Sequence, residues 1–131
     1  MIGLDTNVLV RYIAQDDPKQ SPKAAALIES LAPDAPGYVT IVSVVELVWV
    51  MQSCYAMSRA GIAAALTQIL RTKEIVVESA EVVWRAIRAF DGSSADFADC
   101  LIERSAANAG CSEVYTFDRA AAKSGGMKLI S

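Results

Sequence analysis

Two periods alternate along the chain. Short runs rich in β-branched and aliphatic residues occur at Ile2–Leu4, Tyr38–Ile41, Ile75–Val77, Val114–Phe117 and Lys128–Ile130, and each predicts a strand. The longer stretches between them carry the spacing of helices. Ser21 followed by Pro22 supplies an N-cap and a first helical position, predicting a helix through about Leu31 that stops before Pro33. Ser58 and Ser79 can open two more, over MSRAGIAAALTQILRT and SAEVVWRAIRAF. A further helix is expected from Asp96 to Ala109. At 100° per residue it places Phe97, Ala98, Leu101, Ile102, Ala106 and Ala109 on one apolar face, Asp99 at the border of that face and Asp96 where an N-cap stands.

Strands separated by helical lengths pair in parallel through right-handed crossovers. The pattern therefore predicts an α/β fold, a single domain over residues 1–131 with a parallel sheet of four to five strands flanked by helices. In open parallel sheets ligands gather at the carboxyl ends of the strands. Asp5 follows the first strand candidate and Asp118 the fourth, so both are expected at that edge.

Composition narrows the chemistry. Apolar residues at 53% and charged residues at 21% are those of a globular protein, and no run reaches the eighteen apolar residues of a membrane span. The N-terminus has no basic segment followed by an apolar stretch and a cleavage site, so the expected location is the cytoplasm. Cys54, Cys100 and Cys111 are odd in number and form no CxxC pair; they are expected as small buried hydrophobes. The chain has no histidine. That removes Ser-His-Asp and Cys-His catalysis and HExxH zinc sites, leaving carboxylates, Lys, Tyr or metal-bound water for acid–base work. Trp49, Met51 and Tyr55 follow Glu46 at roughly helical spacing and read as core or subunit interface, and Trp84 reads as packing.

The acids then change the reading of charge. Four stretches, IGLDTNVLV, SVVELVWV, ADFADCLI and VYTFDRA, each place an acid against an apolar segment. Asp5 is expected at the end of a buried strand and Glu46 among valines and leucines, where a solvated glutamate is not expected. Each acid alone has a structural explanation as a cap or a turn. Together they repel: two carboxylates about 4 Å apart cost about 4 kcal/mol at an effective dielectric of about 20. A hard divalent cation resolves this, and oxygen-only ligands favour Mg²⁺ or Mn²⁺ over zinc. Net charge is −3; with Asp5, Glu46, Asp96, Asp99 and Asp118 assigned to one site, ten acids face twelve Lys and Arg elsewhere. A balance of +2 outside the site permits a phosphate-bearing ligand.

The order DTNVL, VVEL, DFADCLI and TFD resembles that of PIN-domain nucleases, specifically the VapC-type toxins of bacterial toxin–antitoxin pairs, over essentially the whole chain. The resemblance implies a three-layer fold with a central parallel sheet and a carboxylate-bound Mg²⁺ or Mn²⁺. It also implies ribonuclease activity on single-stranded or structured RNA, and inhibition by a cognate VapB-like antitoxin. By motif, Asp5, Glu46, Asp99 and Asp118 match the family acids; Thr6 and Asn7 match the polar pair that orders the first, and Thr116 the hydroxyl near the last. In DFAD either Asp96 or Asp99 is the third acid, with Asp96 otherwise an additional ligand or a cap. Arg11 and Arg119 are candidates for holding phosphates, against the alternative of solvated helix charges. Small residues in AAALIESL and GIAAALTQIL are consistent with a partner-helix groove, a homodimer or a tight core. Rival functions are a haloacid-dehalogenase-like phosphatase with Asp5 as nucleophile, for which Asn7 replaces the usual second Asp, and a noncatalytic PIN interaction module.

Overall fold

The computed structural model describes residues 1–131, which divide into two compact units, Met1–Ala80 and Glu81–Ser131. In the first, β1 (Ile2–Gly3), β2 (Gly37–Val39) and β3 (Ile75–Val77) form a parallel sheet in the order β1-β2-β3. Both connections run through helices: α1 (Thr6–Ala14) and α2 (Gln20–Glu29) after β1, α3 (Ile41–Ser53) and α4 (Arg59–Arg71) after β2. Residues with side chains on one face of each element make the core, among them Leu4, Leu9, Val39, Leu47, Ile62 and Leu66, all 4% exposed or less. A Cβ at Gly37 in β2 would lie 2.7 Å from Leu4 Cδ1 and 3.0 Å from Leu31 Cδ1, so any larger residue there must displace those leucine side chains.

Local polar chemistry sets where these elements begin. The strand expected over Tyr38–Ile41 stops at Val39, since the Thr40 side chain accepts from Ser43 N and opens α3 at Ile41. Ser58 caps α4 as expected, accepting from Gly61 N at 3.0 Å. The expected cap at Ser21 is corrected: α2 starts at Gln20, and the bonds that open it come from Asp17 Oδ1, which accepts from Lys19 N at 2.9 Å and Gln20 N at 2.7 Å. The Gln20 and Lys19 N–H groups hold the Asp17 carboxyl below its ordinary range. Ser21 itself is buried, its hydroxyl accepting from Asp17 N.

The second unit holds most of α5 (Ala80–Asp91), then α6 (Phe97–Asn108), β4 (Tyr115–Thr116), the short α7 (Arg119–Ser124) and β5 (Lys128–Leu129). β4 and β5 pair in parallel as a separate two-stranded ladder, so the five expected strands divide three and two. Ser79 precedes α5 with φ 51°, and Val82, Val83, Ala86, Ile87 and Phe90 give α5 a continuous buried stripe. Phe90 packs edge-on against Phe97, with ring centroids 5.7 Å apart, an arrangement aromatic pairs favour. Only Cys100 of the three cysteines is buried; Cys54 and Cys111 are exposed, which corrects the expectation for those two.

Candidate functional site

Asp5 lies where the chain leaves the first strand. Leu4 N donates to Tyr38 O at 2.8 Å, and Leu4 is the buried residue of the segment. Ile2, Gly3 and Asp5 are exposed, so the expectation of a desolvated carboxylate at the end of a buried strand is corrected. Asp5 occupies the N-cap position of α1 with φ −72° and ψ 157°, yet its side chain makes no capping bond. Only its carbonyl serves the helix, accepting from Val8 N at 3.0 Å and Leu9 N at 3.4 Å. The carboxylate is thus left for other use. Next to it Thr6 is 3% exposed, and its Oγ1 has no hydrogen-bond partner. Asn7 is exposed.

Glu46 sits in the middle of α3 and is exposed, contrary to the expectation drawn from its apolar neighbours. Helical period explains the difference. Val44, Leu47 and Val48 are buried and lie about 160°, 100° and 160° from Glu46 around the axis, whereas Val42 and Trp49 lie within about 60° of it. Those two are 72% and 62% exposed. The expected stripe of Trp49, Met51 and Tyr55 therefore does not form: Met51 is buried, Trp49 faces solvent and Tyr55 enters a polar network. In that network Arg11 Nε donates to Gln20 Oε1 at 2.8 Å, Arg11 Nη1 to Asp16 Oδ1 at 3.4 Å and to Tyr55 Oη at 3.3 Å. Tyr55 Oη in turn donates to Asp16 Oδ2 at 2.9 Å, which raises the tyrosine's pKa.

In the second unit two acids, Asp96 and Asp118, act on a third, Asp99. Asp96 takes the N-cap position of α6, as expected, but its side chain makes no capping bond. Asp99, in the first turn, is half-buried. Burial pushes its carboxyl pKa above the ordinary value, and the negative charges of Asp96 and then Asp118 push it further. The helix face differs from the expected one. Phe97, Cys100 and Leu101 are the buried side, while Ile102 and Ala109 are exposed. Asp99 stands about 160° from Phe97 and Leu101 on the wheel. It therefore lies opposite the buried stripe of α6 instead of bordering it.

Asp118 is the N-cap of α7, and both its capping bonds fall on Oδ1, from Ala120 N at 2.8 Å and Ala121 N at 3.4 Å. Its own N–H donates to Thr116 Oγ1 at 3.0 Å, so Thr116 and the start of α7 together fix this carboxylate. Arg119, the first residue of α7, is exposed.

No group of three or more acid or thiol side chains is placed to hold a metal ion. A cation that replaced its whole hydration shell with protein ligands does not fit such a donor set. A Mg²⁺-like ion, which keeps several waters and leans on one or two carboxylates, does. The oxygen-only chemistry and the strained ionisation of Asp99 beside Asp96 and Asp118 both suit it.

The PIN domain family model matches residues 2–126. No curated protein and no solved structure gives a significant match. The chain belongs to the PIN domain family, whose members have an α/β fold and are in general nucleases that use divalent metals and act on RNA.

Proposed function

We propose that this PIN domain is a VapC-like endoribonuclease that hydrolyses phosphodiester bonds of single-stranded or structured RNA with Mg²⁺ or Mn²⁺. The observation that carries the reading is the PIN domain match over residues 2–126; Asp99, a half-buried carboxyl made costlier to ionise by burial and by two neighbouring acids, supports it. A positive ion removes that cost. In this reading one or two of Asp5, Glu46, Asp99 and Asp118 touch the cation and the others reach it through water, as does Asp96 as an additional ligand. The cation, when bound, neutralises charge on the phosphate and lowers the pKa of water. Thr116 and the α7 backbone keep Asp118 in one rotamer, while Thr6 and Asn7 support Asp5. Arg11 and Arg119 offer guanidinium groups to phosphate oxygens. A match over residues 2–126 favours nuclease over phosphatase chemistry, and the intact set of acids speaks against a noncatalytic module.

We also place a VapB-like antitoxin among its partners. A basic side chain from a helical segment would satisfy the same acids as the metal, so partner and Mn²⁺ compete. We propose a homodimer as well, with the small-residue helices α2 and α4 as its candidate seam. No helix is long and apolar enough to cross a membrane, and the working location is the cytoplasm.

RNA cleavage by the purified chain should require Mg²⁺ or Mn²⁺, stop in EDTA and return when Mn²⁺ is restored. Mn²⁺ should also raise the melting temperature as its concentration rises, because it binds the folded carboxylates and not the unfolded chain. Full activity after exhaustive chelation would refute the reading.

A further inference from the structure

We infer that the cleft between α1 and α2 holds one nucleotide of the RNA strand next to the bond that is cut, its phosphate on Lys23 and Arg11 and its base on Val8, Ala24 and Leu27. The inference rests on the ribonuclease reading above. The cleft encloses about 280 Å³ within the first unit, and its two charged lining residues are both cations. Asn7 and Gln20 add amide groups at its rim. Lys23 forms no ion pair, and Arg11 is held in place by Gln20, Tyr55 and Asp16 through Nε and Nη1, with Nη2 unbonded. A guanidinium already oriented loses little freedom when it takes a phosphate.

Charge and position choose the occupant. Both charged residues of the lining are cations, which favours an anionic strand over the apolar face of a partner helix. A flat base over apolar side chains with its phosphate toward two cations matches the lining. Asn7 and Val8 stand in the first turn of α1, two and three residues after Asp5. A nucleotide in the cleft is therefore within one helical turn of an acid assigned to the cation.

The test uses a labelled single-stranded oligouridylate and the full chain in EDTA, with fluorescence anisotropy between 50 and 200 mM KCl, alongside steady-state cleavage in Mg²⁺. Each cation on a single-strand phosphate contributes about 0.7 to the slope of log affinity against log salt. Lys23→Ala should lower the slope by about 0.7, so that across this fourfold range it loses about 2.6-fold less affinity than the parent. Lys23→Arg should keep the slope. Leu27→Ala should weaken binding with the slope unchanged, and for both alanine variants the cleavage defect should fall on KM rather than kcat. Lys23 and Leu27 are both exposed, and unchanged melting temperatures will show that the variants fold. A Lys23→Ala protein with the parental slope and KM, in a chain that cleaves RNA, overturns the cleft assignment. A parent chain that neither binds nor cleaves RNA overturns the ribonuclease reading itself.

Discussion

Replacing Thr6 with valine should make the protein more stable and less active at once. Thr6 is 3% exposed and its Oγ1 meets no donor or acceptor. A buried hydroxyl without a partner costs about 1–3 kcal/mol. Valine keeps the β-branched shape and replaces the hydroxyl with a methyl group, whose burial is worth about 0.8 kcal/mol. With part of the gain lost to imperfect packing, about 2 kcal/mol remains. Unfolding entropy of about 2.1 cal/mol/K per residue over 131 residues converts this to a rise of about 7 °C in melting temperature. Circular dichroism melts in EDTA measure it without interference from metal. Thr6→Ser is the control: it keeps the hydroxyl, loses a buried methyl group and should fall by about 1 kcal/mol. The family motif pairs Thr6 with Asp5, so Thr6→Val should also lose RNA cleavage, trading function for stability. A Thr6→Val protein that melts at or below the parental temperature would refute the reasoning, because the hydroxyl would then have a partner when folded.

Asp99→Asn should abolish cleavage and stabilise the metal-free protein. A carboxyl whose pKa is raised by folding supports the fold below its unfolded value and loses that contribution as pH rises through its folded value. The melting-temperature advantage of Asp99→Asn should therefore grow from below pH 3.8, the ordinary value, towards neutrality; an advantage independent of pH would contradict the assigned cause. Asp118→Ala should cost about 1 kcal/mol as a lost cap, while Asp118→Asn keeps the cap and still loses cleavage. Asp96→Ala, with no capping bond to lose, should stay within about 0.5 kcal/mol of the parent in urea melts. Ala56 has φ 48°, a left-handed conformation that costs a non-glycine residue about 1–2 kcal/mol. After the entropic cost of glycine, Ala56→Gly should gain up to about 1 kcal/mol by the same assay.

Elements marked by local chemistry were legible in the sequence. Ile75–Val77 is a strand at its expected bounds, Ser58 caps α4, and Asp96 and Ala109 flank α6 where the pattern put them. Boundaries moved where a competing side chain lay outside the motif. Asp17, upstream of the Ser-Pro pair, starts α2, and Thr40 turns the end of an apolar run into the first turn of α3. Exposure was the harder property. Apolar neighbours made Glu46 look buried, but side chains one and two positions away on a helix point elsewhere; only the 3.6-residue period shows that Glu46 shares a face with Val42 and Trp49. The same rule misplaced Asp99. Its wheel was centred near Ala98 and Ala109, whereas Cys100, left out of the apolar face, joins Phe97 and Leu101 and turns the buried side by about 100°. The cleft lined by Lys23 had no signature in sequence, because it depends on how α1 and α2 pack.

The dual service of Asp118 ties the site to the mechanics of a very short helix. Six residues make fewer than two turns, too few to hold together without their cap and their packing. Such a segment opens locally at a fraction of the free energy needed to unfold the whole chain. Each opening releases the Oδ1 atom that Ala120 and Ala121 hold and returns the carboxylate to a mixture of rotamers. In the proposed reading, the affinity of this carboxylate for a cation is multiplied by the fraction of time α7 is closed. Warming should then erode RNA cleavage before it erodes the fold, and a substitution that stiffens α7 should widen the temperature range over which the proposed site works.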